Sequence, residues 1–129
     1  MLIFQEGICY AKSNLFAALL RAIKIPVGFC YQKITLGDTP ETGYCVHALN
    51  GVYLSDYGRW IRLDTRGNKE GVNAQFSLEY EQLAFPIRSY YDEKDYPTIY
   101  TKPNKRTMDT LSNNTNCLDM YKNNLPTDI

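Results

Sequence analysis

The chain has a single histidine, a single tryptophan, and four cysteines with no Cys-x-x-Cys spacing. The missing pair spacing argues against a zinc site and against a redox dithiol. No block of basic residues is present. Fourteen basic side chains offset fourteen acidic ones to a formal charge of zero, which makes nucleic acid a poor partner. No apolar run is long enough to cross a bilayer, and Met1-Leu2-Ile3-Phe4 is too short and lacks the basic flank of a secretory leader. Together these absences predict a cytoplasmic protein with reduced thiols, no membrane partner, no metal and no organic cofactor. The glycosylation pattern at Asn113-Asn114-Thr115 then carries no meaning.

What is present suits one soluble domain over residues 1–129. Apolar residues make up 44% and charged residues 22% of the chain, and a domain of this size buries roughly two thirds of its unfolded surface. Eleven tyrosines are many for the length. They fit a groove for an extended substrate or, as the plainer reading, a half-buried sheet. Oligomeric state is not encoded in any pattern here.

Residues 7–22 read as a helix with a cysteine in its first turn. Ile8, Ala11, Leu15, Ala18, Leu19 and Ala22 recur at three- and four-residue steps and predict one apolar face toward a sheet. Gly7 permits a sharp turn into the helix, and Ile25-Pro26 ends it, because a proline pushes the preceding residue out of the α region. Lys12 and Ser13 are expected to face solvent or cap the first turn. A helix start suits a thiol nucleophile, since unpaired N–H groups and the dipole favour the thiolate. The dipole supplies at most about 2 kcal/mol, too little to ionise a thiol of ordinary pKa, about 8.5, near neutrality. A histidine cation is the usual further partner, and His47 is the one available.

Residues 27–34 and 44–54 read as strands around a loop rich in glycine and proline, with a bulge or bend expected near Asn50-Gly51. Ser55-Asp56-Tyr57-Gly58 is a turn by composition, and residues 59–64 alternate charge with apolar bulk as a half-exposed strand does. Pairing Leu54 with Arg59 sets Arg66 opposite His47 and Asp64 on its diagonal. A two-residue loop at Ser55-Asp56 sets Asp64 directly opposite. Either register puts imidazole and carboxylate on one face, because side chains alternate with period two. Cys30 and Cys45 are expected to be buried free thiols rather than a disulfide.

Further on, residues 82–87 suggest a short edge strand limited by Pro86, and residues 89–105 an irregular surface segment. Asn104 is placed to cap a short helix after Pro103. Residues 113–116 break that helix, residues 117–121 add one turn, and residues 125–129 are expected to fray.

Cysteine at a helix start, histidine on a strand and aspartate on the next strand form the set that thiol acyl transfer needs. Cys9 would attack a carbonyl carbon, His47 would take and return the thiol proton, and Asp64 would fix the tautomer and charge of the ring. Each has a plain structural alternative: Cys9 as a small buried hydrophobe, His47 as a core histidine, Asp64 as a loop starter. Asn50, Arg62 and Arg66 read first as structural braces and second as substrate contacts.

Gly7-Ile8-Cys9, Leu19-Leu20-Arg21-Ala22 with Ile25-Pro26, His47-Ala48 and Arg59-Trp60-Ile61-Arg62-Leu63-Asp64 resemble, in that order, the transglutaminase-like core. That superfamily includes animal transglutaminases, peptide N-glycanases and many microbial cysteine-protease relatives. The resemblance covers about residues 5–65. It implies a papain-like α+β fold, with an N-terminal nucleophile helix packed on an antiparallel β-sheet, and Cys9, His47 and Asp64 as the triad. Members carry helical sequence upstream that completes the oxyanion hole. A cysteine at residue 9 therefore implies a trimmed or unusually short version, with a core over residues 5–90 and an irregular extension over residues 91–129. The Cys9 N–H is one expected oxyanion donor and Gln5 a second. The usual His-Ala-Trp is His47-Ala48-Leu49 here, so Tyr10 or Tyr44 is expected to supply the aromatic. The activity implied is amide hydrolysis on a peptide or protein through a thioester. Transfer of the acyl group to an amine is the second reading, and a catalytically silent peptide-binding domain is the third.

Overall fold

The computed structural model describes residues 6–129. Its first element, α1 (Cys9–Ala22), starts with the cysteine itself and ends in Arg21 and Leu20 carbonyls capped by Lys24 and Ile23. Four strands follow, β1 (Val27–Thr35), β2 (Tyr44–Leu54), β3 (Arg59–Leu63) and β4 (Lys94–Asp95). They form one antiparallel sheet in the order β3-β2-β1-β4. Two short helices, α2 (Lys105–Asn113) and α3 (Cys117–Asn123), close the chain. The architecture is α+β with an N-terminal helix on an antiparallel sheet. Among the described residues no helix is long and apolar enough to cross a membrane.

The helix meets the sheet with a different face from the one its apolar periodicity predicts. Ala18 and Ala22 are exposed, Leu19 is 58% and Ile23 66% exposed, whereas Tyr10, Ser13 and Ala17 are buried. Polar groups on that buried face explain the rotation. The Tyr10 hydroxyl donates to the Val46 carbonyl at 2.7 Å and the Ser13 hydroxyl to that of Leu49 at 3.4 Å. Asn50 returns the contact, donating to the carbonyls of Ser13 and Gly28. Ser13 therefore neither faces solvent nor caps the first turn. Val27, Phe29, Tyr31, Val46, Ala48 and Val52 complete the core beneath Tyr10 and Ala17.

β2 is regular from end to end and carries no bulge at Asn50-Gly51, because both its edges are continuously paired there. The β2–β3 hairpin takes the register with Leu54 opposite Arg59. Gly58, at φ 63°, closes a four-residue turn by donating to the Leu54 carbonyl. The two-residue alternative would need positive φ at Ser55, and at Asp56 too in a type I′ turn, which side chains resist. Tyr53 and Trp60 face each other across this hairpin with ring centroids 5.5 Å apart.

Two expectations about the later chain fail. Residues 82–87 form no strand; only Gln82 makes an isolated bridge, to Gln75, and Ala84 and Phe85 turn inward instead. The tail does not fray, since the Pro126 carbonyl accepts from the Val46 N–H at 2.9 Å and Leu125 and Ile129 pack on the core. Part of the segment expected to be irregular continues past β4 along the edge of β1 that faces away from β2, with Phe29 and Tyr100 exchanging two 2.8 Å backbone bonds. Asn104 caps α2 through Arg106 and Thr107 N–H groups, as its sequence predicts.

Arg62 and Asn50 are braces. Arg62 holds Glu81 through two nitrogens and Asp95 through the third, tying β3 to the loop beyond it and to β4. Cys30 and Cys45 are buried free thiols, pushed by burial up to about 11 and about 12 respectively.

Candidate functional site

Because β2 alternates its side chains, His47 points away from the Val46 and Ala48 face that packs in the core cluster. Its ring is 3% exposed and meets Asp64 through Nε2, 2.7 Å from Oδ2 of a carboxylate with no exposed side-chain surface. Leu63 is the last residue of β3, so Asp64 stands at the strand end, diagonal to His47 as the hairpin register requires. Its other bonds come from the loop it begins. Oδ1 accepts from the Arg66 N–H at 2.9 Å and Oδ2 from the Ala84 N–H at 3.3 Å. Gly67, at φ 81°, lets the chain turn back immediately afterwards.

With Nε2 taken by the carboxylate, Nδ1 is the nitrogen that can serve a thiol. Cys9, a half-exposed thiol, lines the same cleft of about 760 Å³ as the ring. The pKa of His47 reflects a contest. Burial pulls it down, while the bond to Asp64 and the neighbouring Cys9 sulfur push it up, and the balance lies at about 9. Burial raises the Asp64 carboxyl, but the ring and the Arg66 and Ala84 N–H groups outweigh it and leave its pKa lowered.

A sole histidine makes this measurable. The His47 ring protons are expected to titrate near pH 9 by NMR, and near or below the ordinary 6.5 once Asp64 is changed to Asn, since burial then acts with less opposition. The folded-state value is raised, so the stability linked to it is complete below pH 6.5 and disappears as the pH rises through about 9. At most this amounts to about 3 kcal/mol. Urea unfolding at pH 6 and pH 9.5 checks the sign.

The start of α1 contributes donors. Ile8 caps the helix without a side-chain bond and no acidic residue lies in the first turn. The first intrahelical N–H bond is Lys12 to Ile8, which leaves the N–H groups of Cys9, Tyr10 and Ala11 without acceptors in the helix. Gln5, expected as a second oxyanion donor, lies outside the described residues.

The aromatic beside the histidine is Phe85, which the sequence reading missed. Its ring meets that of His47 edge-on with centroids 4.9 Å apart, and the Arg66 guanidinium lies 5.1 Å over it. Neither expected tyrosine fills this place. Tyr10 touches the cleft but is a core residue held by its hydroxyl, and Tyr44 sits outside the cleft, donating to the Tyr91 carbonyl under the Lys33 ammonium. No local signal marks Phe85, an aromatic before a proline in a segment that reads as an edge strand. Lys12, Lys69, Val72, Tyr121 and Leu125 also line the cleft. Among the described residues, no group of three or more His, Cys, Asp or Glu side chains is placed to hold a metal ion.

A family model described as the transglutaminase-like superfamily matches residues 1–65, which contain α1, His47 and Asp64. No curated protein and no solved structure matches the chain.

Proposed function

The chain belongs to the transglutaminase-like superfamily, and from that premise we propose that it is a thiol-dependent amide hydrolase of papain-like architecture. Cys9 is the nucleophile, His47 the general base and acid, and Asp64 the group that orients the ring. The observation that carries this reading is the buried 2.7 Å contact between His47 and Asp64, set in the same cleft as the one half-exposed cysteine.

Asp64 keeps the proton on Nε2, so Nδ1 takes the thiol proton and the sulfur attacks the amide carbonyl carbon. The C–S bond forms, N–H groups at the start of α1 receive the developing oxyanion, and the C–N bond breaks as Nδ1–H protonates the leaving amine. Water then attacks the thioester with Nδ1 as base, releasing the acid and restoring the thiol. A peptide or protein is the substrate class, and the cytoplasm is the compartment in which such a thiol stays reduced.

The test offers the protein peptides with backbone and glutamine amides in heavy-oxygen water, with a biotin-tagged primary amine present. Heavy oxygen in the new carboxylates supports hydrolysis. Amine in place of water would assign transglutamination instead. If neither product forms the proposal is wrong, and iodoacetamide alkylating Cys9 no faster than exposed Cys117 would then make the domain a silent peptide binder.

A further inference from the structure

The cleft around Cys9 carries charge of one sign. Lys12, Arg66 and Lys69 line it, and no aspartate or glutamate among the described residues does. None of the three cations has a carboxylate within ion-pair distance among the described residues. Their contacts are of other kinds: Lys12 Nζ donates to the Arg66 carbonyl at 3.3 Å, and Arg66 stacks on Phe85. The adjoining hollow of about 370 Å³ beyond Leu36 differs, since it holds Asp38 and the Arg88–Glu93 pair. The positive excess is local to the thiol.

Its placement costs the fold something. A cation in the first turn of a helix opposes the dipole, and that turn ordinarily carries an acidic residue or a capping side chain. α1 has neither and presents Lys12 there instead. Other walls of the cleft, including Ile34, Leu36, Val72 and Leu125, are apolar, so an anion bound among them would be less screened than on open surface.

We propose that the acyl donor carries a carboxylate close to the scissile amide, an acidic residue within one or two positions of the bond, held by Lys12, Arg66 and Lys69. This rests on the thiol chemistry proposed for Cys9 and names the substrate class of that site.

Two alkylating reagents of nearly equal size separate charge from reactivity. Iodoacetate is an anion and iodoacetamide is neutral. The ratio of their rates at Cys9, read by mass spectrometry of the intact chain at low ionic strength, is expected to exceed the same ratio at exposed Cys117 by about tenfold. The ratio is expected to fall several-fold in about 0.5 M salt. The His47 cation also attracts iodoacetate, so the deciding measurement is the double variant Lys12→Gln, Lys69→Gln, which keeps His47 and should lose most of the excess. A ratio at Cys9 no higher than at Cys117, or one that the double variant leaves unchanged, would overturn the proposal. Matched peptides with Glu, Gln or Lys beside the amide are then expected to rank in that order in kcat/KM, with Lys69→Glu reversing the order. Cleavage with no charge order sinks this inference alone. Absence of any cleavage sinks the proposed hydrolase and leaves the alkylation ratio to decide the charge question.

Discussion

Replacing Cys9 by alanine is expected to lower kcat/KM for amide hydrolysis by about 10⁵-fold or more, leaving only the rate that binding and the helix-start N–H groups can support. In free-energy units this is about 7 kcal/mol of lost transition-state stabilisation. The fold should contribute little to the loss, because the half-buried Cys9 side chain meets the core cluster from its edge, while the fully buried residues of α1 are Tyr10, Ser13 and Ala17. Circular dichroism and the urea midpoint of the variant therefore serve as the control. Cys117→Ala, on the exposed side of α3, should retain full activity. Cys30 and Cys45 cannot substitute as nucleophiles, because both are buried and burial raises both thiols far above neutrality. A Cys9→Ala protein that still cleaves amides at more than about a hundredth of the parent rate would remove the thiol from the mechanism.

How far residues alone foretell this arrangement depends on the range of the interaction. The hairpin joining His47 to Asp64 is local. Its register follows from one glycine turn and period-two alternation, so their common face is readable from residues 44–64 without knowing the rest of the fold. The Asn104 cap is local in the same way. Helix orientation is not local. Counting apolar residues on α1 picks Ala18 and Leu19, but the face that docks is chosen by three hydrogen bonds to carbonyls of the sheet and of the helix itself, made by Tyr10, Ser13 and Asn50. A buried serine is indistinguishable from a solvated one until its acceptor is known. Phe85 and the tail are longer-range still. Phe85 reaches His47 across 38 positions of sequence only because the Ala84 N–H docks on Asp64, and Pro126 reaches Val46 from the far end of the chain. Neither carries a periodic pattern that could announce it.

Asp64 is where the local and the long-range parts meet, and its replacement by asparagine is expected to have the second largest effect. The carboxylate accepts on both oxygens, from Arg66 on one and from His47 and Ala84 on the other. An amide in the same place accepts on one side only. Turned with its oxygen to His47 and Ala84 it keeps the ring's tautomer but sets an NH₂ against the Arg66 N–H. Turned the other way it loses two acceptors and presents a donor to Nε2. The first orientation costs less, so the histidine should stay in position while the loop bearing Arg66 and Lys69 loosens. Stability should fall by about 1–3 kcal/mol, the cost of one unpaired buried N–H and a weakened bond to the ring. Activity should fall about 10²- to 10⁴-fold. The diagnostic result is the pH profile rather than the rate. With the carboxylate charge gone, burial pulls the His47 pKa down from about 9, so the alkaline limb of kcat/KM should shift toward acid by more than about one pH unit. Asp64→Ala should destabilise further, by about 3–5 kcal/mol, because it leaves the ring, Arg66 and Ala84 all without an acceptor. An asparagine variant with weakened folding but an unshifted alkaline limb would make Asp64 a loop anchor, and the charge on His47 would then have to be set by Cys9 alone.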